Sequence, residues 1–212
     1  MTALSGYLEV LRRGAAHDQA TLSSALDSMS READRLRLLV TDLLTLARVD
    51  AKGAHTLEDF DVAAALGRLL DEGVPGMPGR VDRDFPPAPI LVSCDRTALT
   101  AIVRNLLVNS CRYAPGARQL WSVTSDGRRA RIDAHDDGPG IPAADLPHVF
   151  ERFYRGEKTR VRVEGGTGLG LAIVQGLARA QSGDAAITSS EGAGTTVTVW
   201  LPLAAENRPA AG

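Results

Sequence analysis

Gly165-Gly166-Thr167-Gly168-Leu169-Gly170-Leu171 is the stretch from which the rest of the chain is read. Four glycines fall within six residues, and an apolar run, Leu171-Ala172-Ile173-Val174, follows at once. Glycine lets the backbone take positive φ and approach a ligand closely. The run after it has the pattern of a helix from Leu169 to about Ala180. A Gly-rich loop that opens a helix presents free N–H groups and a positive dipole end, which suits phosphate. The stretch fits neither G-x-x-x-x-G-K-[ST] nor G-x-G-x-x-G, so alone it also reads as a flexible surface loop. The residues that precede it decide between the two.

Composition narrows the setting. The 212 residues suffice for one sizeable domain plus an appendage, and 44% hydrophobic content is ordinary for a globular protein. A net charge of −2 supplies no basic field for nucleic acid, so no nucleic-acid partner is expected. No apolar run approaches membrane-spanning length and no secretory signal opens the chain. The chain as given therefore reads as cytoplasmic. Cys94 and Cys111 have neither metal spacing nor a disulfide pattern, and both read as buried, inert thiols.

The N-terminal residues are helical in pattern. Leu4, Tyr7, Leu8 and Leu11 recur at helical spacing between Thr2 and Arg13, and Gly14 ends the segment. A second helix is expected from about Thr21 to Val49, with Leu22, Leu26, Met29, Ala33, Leu36, Val40, Leu43 and Ala47 on one stripe. A helix of that length needs a surface to pack on, and the short first helix cannot cover it. An antiparallel hairpin pairing with a second copy satisfies the stripe, so residues 1–50 read as a dimerisation unit and the chain as a homodimer. The alternative is a helix lying against its own domain. Residues 51–56 form a polar linker, 57–204 a mixed α and β domain, and 205–212 a disordered tail.

Within the second unit, strands are expected over Glu58–Val62, Arg80–Phe85, Pro89–Ser93, Gln119–Ser125, Arg129–His135, Asp184–Ser190 and Thr195–Leu201. Helices are expected over Ala63–Glu72, Asp95–Tyr113 and, briefly, Ala143–Phe150. The helix from Asp95 is informative. Leu99, Val103, Leu106, Leu107 and Ser110 share one side, and Asn105, Asn109, Arg112 and Tyr113 share another. Asparagine is a poor helix former, so two at i, i+4 beside a cation and an aromatic point to a ligand rather than a solvated face. Asp136-Asp137-Gly138-Pro139-Gly140 places carboxylates at a strand end before a tight turn. The polar segment Gly156–Glu164 reads as a lid able to close over a ligand.

These pieces carry a resemblance. Asn105-Leu106-Leu107-Val108-Asn109-Ser110-Cys111-Arg112-Tyr113 resembles the N box of sensor histidine kinases of two-component systems. Asp136-Asp137-Gly138-Pro139-Gly140-Ile141 resembles their first glycine box, Phe150-Glu151-Arg152-Phe153-Tyr154-Arg155 their F box, and Gly166-Thr167-Gly168-Leu169-Gly170-Leu171 their second glycine box. All four stand in family order. Arg35 to Arg48 is similar to the second helix of that family's dimerisation domain. The resemblance implies an α+β fold: a two-helix hairpin followed by a Bergerat (GHKL) α/β sandwich, with a mixed sheet and helices on one face.

The resemblance also implies roles. The cofactors would be ATP and Mg²⁺. Asn109 would hold the metal through its amide oxygen, a hard uncharged ligand, and Asn105 would support that region. Arg112 would approach the phosphates, Tyr113 would pack on the adenine and Asp136 would accept from its amino group. Gly138 and Gly140 would let the backbone pass the base, while Gly166, Thr167, Gly168, Leu169 and Gly170 would line the phosphates. Arg155 would reach the γ-phosphate when the lid closes. The chemistry would be phosphoryl transfer, governed by positioning and charge neutralisation.

Departures from the family pattern limit that expectation. The family's phosphorylated histidine lies in a short box near the start of the first helix, and that box is missing from these residues. His17, His55, His135 and His148 lack its context. The expected activity is therefore that of a histidine protein kinase unable to autophosphorylate in this form. Its phosphoacceptor histidine would be supplied in cis or in trans, and its downstream partner would be a response regulator, with full-length members often anchored in the cell membrane. The competing expectation is a catalytically silent ATP-binding module that regulates a partner kinase. Asp137 replaces the family's usual Asn and adds charge near the nucleotide, while Ser110 replaces Ala on the core side.

Overall fold

The structure is a computed structural model, and it describes residues 19–50, 56–74, 77, 80–156 and 166–205, without the side chains of 19–21, 31, 34–35 and 48–50. The expected first helix, the linker at 51–55, the lid beyond Gly156, Gly165 and the tail beyond 205 lie outside the described residues. Helix α1 (Gln19–Asp50) runs for 32 residues, about 48 Å at 1.5 Å per residue. Strand β1 (Glu58–Asp61) pairs antiparallel with β3 (Leu91–Cys94). Between them lie α2 (Val62–Glu72) and β2 (Val81–Asp84). Helix α3 (Arg96–Tyr113), strands β4 (Gln119–Ser125) and β5 (Arg129–Asp136), helix α4 (Gly170–Ala180) and strands β6 (Asp184–Ser189) and β7 (Thr195–Pro202) follow.

The main sheet has the order β2-β4-β5-β7-β6. Only β2–β4 is parallel, so the sheet is mixed as expected. Register explains its two faces. Trp121 pairs with Ala134, Val123 with Ile132, Ile132 with Val199, Ala130 with Leu201 and Ala185 with Val199. Side chains alternate along a strand, so these residues share one face, and most of them are buried under the helices. The opposite face pairs Arg131 with Trp200 and Asp133 with Thr198. Leu99, Ile102, Val103, Leu106 and Leu107 of α3 close the core from the helical side together with Ile173, Val174 and Leu177 of α4.

Most elements stand within two residues of the sequence expectation, and two departures have a clear local reason. Val62 begins α2 rather than ending β1, because the Asp61 carboxylate accepts from Ala63 N at 3.1 Å and caps the helix. The expected helix over Ala143–Phe150 is a single 3₁₀ turn at Leu146–His148 flanked by further turns. Asp145 N donates to Pro142 O, His148 N to Asp145 O and Glu151 N to His148 O, all three-residue steps. Pro147 lacks the N–H that an α-helical ladder would require of it.

Candidate functional site

Helix α3 supplies one wall. Asp95 caps it, its carboxylate accepting from Thr97 N at 2.7 Å, and its apolar side is anchored in the core. That anchoring presents the opposite side, from Asn105 to Tyr113, to the start of α4. A Cβ placed on Gly170 would stand 3.1 Å from Asn109 Oδ1 and 3.3 Å from Asn105 Oδ1. The absence of a side chain at Gly170 thus brings both amides onto the opening of α4. One turn further along α3, the Tyr113 hydroxyl lies 2.8 Å and Arg112 Nη1 3.7 Å from where a Cβ on Gly166 would stand. Asn105, Asn109, Arg112 and Tyr113 therefore converge on the glycine stretch.

The end of β5 supplies the floor. Asp136 is half-buried, its Oδ1 accepting from Gly138 N at 3.1 Å and its Oδ2 facing the Ser110 hydroxyl at 3.4 Å. Desolvation raises its pKa above the ordinary value, against the opposing pull of the Gly138 N–H, His135 and Ser110. Helical spacing assigns Ser110 to the core side, yet its hydroxyl turns to Asp136 and joins the floor. Gly138 passes against Ala114 and the Asp136 carboxylate with no room for a side chain. Asp137 turns its exposed carboxylate to the backbone N–H of Arg118 at 2.7 Å, while its own N–H donates to Arg118 O at 3.2 Å. It thereby extends the β4–β5 ladder.

The F box holds the glycine loop from the other side. Phe153 N donates to Gly168 O at 2.9 Å, and Phe153 itself takes φ 65°, unusual for a non-glycine residue. Gly168 also has positive φ, and a Cβ there would meet the Phe153 backbone at 2.8 Å. Thr167 Oγ1 accepts from Leu169 N at 3.2 Å, which fixes the entry into α4. Arg155 is half-buried two residues beyond Phe153, at the edge of the undescribed segment, and no described contact brings it to the amide pair.

Besides Ser110, a second residue of the site lies outside the sequence expectation. Asp42 of α1 accepts a hydrogen bond from Thr167 Oγ1 at 2.9 Å. Burial raises its carboxyl above the ordinary value, and the Thr167 hydroxyl and the Arg112 cation oppose that rise. Leu39 and Leu46 flank it on the same side of α1 and pack into the domain core. The available sequence signal is a carboxylate placed three residues after Leu39 and four before Leu46, on a line distinct from the expected stripe.

Residues 94–205 match the family of histidine kinase-, DNA gyrase B- and HSP90-like ATPases, and residues 1–52 match the His Kinase A (phospho-acceptor) domain. The sensor histidine kinase WalK of Bacillus subtilis (strain 168) is 34% identical over 97% of this chain and 35% of its own length. The probable sensor histidine kinase TcrY of Mycobacterium tuberculosis (strain ATCC 25618 / H37Rv) is 35% identical over 96% of this chain and 43% of its own. The chain thus spans less than half the length of these curated relatives. The solved structure of Acinetobacter baumannii histidine kinase AdeS shares the fold with a TM-score of 0.72 and 24% identity, over 95% of this chain and 94% of that one.

Proposed function

We propose that this chain, which belongs to the sensor histidine kinases and carries their ATPase domain at 94–205, binds Mg-ATP between α3 and the glycine loop. It donates the γ-phosphate to a histidine outside these 212 residues, for relay to an aspartate of a response regulator. The observation that carries this reading is the approach of Asn105 and Asn109 to Gly170, at 3.3 and 3.1 Å from its Cβ position. Two neutral oxygens at the N-terminus of a helix fit a phosphate-bound hard cation, since each offers a lone pair without adding negative charge. Asn109 would hold Mg²⁺, which when bound neutralises charge on the phosphate oxygens. Asn105, whose Nδ2 donates to Ala101 O at 2.8 Å, keeps its oxygen turned toward the site. Arg112 adds a fixed cation, and the N–H groups opening α4 orient the phosphates. Asp136 accepts from the adenine amino group, and Tyr113 and Gly138 border the base. Arg155 joins the γ-phosphate from the F box.

The proposed organisation follows from the same elements. Residues 1–50 form the dimerisation unit, 51–56 the linker, 57–204 the catalytic unit and 205–212 a tail. No helix among the described residues is long and apolar enough to cross a membrane. None of the four histidines has the context of a phosphoacceptor, so these residues alone transfer no phosphate to themselves. The test is incubation with γ-labelled ATP and Mg²⁺, with and without an added histidine-box domain. Label on that domain is expected only when the chain is present, and none on the chain itself. Acid-labile label on the chain, or none on the added domain, overturns the assignment.

A further inference from the structure

The contact between α1 and the glycine loop joins residues 125 positions apart. Asp42 meets the groups that the proposed function reserves for phosphate. Its Oδ2 accepts from Thr167 Oγ1 at 2.9 Å, and that same hydroxyl oxygen accepts from Leu169 N at 3.2 Å, at the N-terminal end of α4. Arg112, which acts on Asp42 electrostatically, reaches within 3.7 Å of the Cβ position on Gly166, the residue before Thr167. A carboxylate hydrogen-bonded to a hydroxyl beside a helix N-terminus, with a cation near enough to favour its charge, has the chemistry of a bound anion. Leu46, buried in the domain core, and Leu39, partly buried against it, keep it there from either side.

We propose that Asp42 is an intramolecular competitor of the nucleotide phosphates: it latches the glycine loop to α1 in the nucleotide-free protein, and a bound triphosphate displaces it. This rests on the reading of the site as an ATP site. Two anions cannot share Thr167 and Arg112 without mutual repulsion, which is strong in a partly desolvated setting. Nucleotide binding therefore weakens the hold of the catalytic domain on α1, and that hold weakens nucleotide binding by the same factor. The latch ties occupancy of the ATP site to freedom of the long helix. The leucines alone would fasten the helix without regard to the nucleotide.

Calorimetric titration of the 212-residue chain and its Asp42→Asn variant tests this, with a β,γ-imido ATP analogue and with adenosine as probes. Asparagine keeps the shape and the acceptor but removes the charge, so the fold is retained. The triphosphate Kd is expected to fall by roughly three- to tenfold in the variant, and the adenosine Kd to stay unchanged, because adenosine carries nothing that competes with Asp42. Equal triphosphate affinity in the two proteins overturns the latch alone. An equal shift for adenosine also overturns it, because the effect would then be a general loosening. Failure of the parent chain to bind either probe overturns the ATP reading and the latch together.

Discussion

The role proposed for Asp136 in nucleotide binding opposes its contribution to stability. Burial raises its pKa above the ordinary 3.8, so the charged form costs stability at neutral pH. Stability is regained as pH falls through the folded pKa, and the effect is complete below the unfolded one. Asp136→Asn is therefore expected to stabilise the nucleotide-free protein slightly at pH 7, while weakening ATP binding roughly tenfold or more through loss of the proposed charged acceptor. Melting curves at pH 7 and below pH 4 check the first part, since the gain should vanish at low pH. The cysteines behave differently from each other. Cys94 is buried and its thiol is pushed up to about 12, so it should resist a thiol reagent until the protein unfolds. Cys111 is only partly covered, contrary to the sequence expectation, and should label slowly in the folded state.

At the level of elements, α1 faces two ways. Leu39, Asp42 and Leu46 turn to their own domain, while Leu26 (52%), Leu36 (39%), Val40 (56%), Leu43 (47%) and Leu44 (58%) are exposed. The sequence poses dimerisation and self-packing as alternatives, and the described helix has an apolar line for each. An exposed line of that size on one helix is the mark of a protein partner, and the proposed homodimer covers it. Val40→Glu combined with Leu43→Glu should shift the chain from dimer to monomer in light scattering while leaving its helix content unchanged. A dimer that survives both charges excludes this face as the interface. On α3, Leu107 is 1% exposed at the core of the element that presents the amides. Leu107→Ala should cost about 2–5 kcal/mol in denaturant unfolding. Gly170→Ala should leave folding nearly unchanged yet reduce ATP affinity, because its Cβ would press on Asn109 Oδ1 at 3.1 Å.

Across the whole molecule, what is legible in sequence follows the range of the interactions involved. The α3 stripe of Asn105, Asn109, Arg112 and Tyr113 is set by helical spacing, so it is visible in the order of residues alone. The sheet strands are readable because apolar alternation and the Asp126-Gly127 turn are local signals. The failed helix at Ala143–Phe150 shows the limit of periodicity, since one proline removes the bond that the pattern assumes. Asp42 and Ser110 are harder to read for a different reason: their partners, Thr167 and Asp136, are distant in the chain and meet only in the folded domain. For Asp137 the sequence supplies the charge alone, and the backbone of Arg118 accounts for where that charge points.

In the proposed function the α3 amides and the glycine loop together hold Mg-ATP. Its most direct measurement is calorimetric titration of a non-hydrolysable ATP analogue, with and without Mg²⁺, into the parent chain and an Asn109→Ala variant. Mg²⁺ should tighten binding by the parent, and Asn109→Ala should abolish that increment while retaining the metal-independent affinity. Binding that ignores Mg²⁺ in the parent, or an increment that survives in Asn109→Ala, would contradict the account.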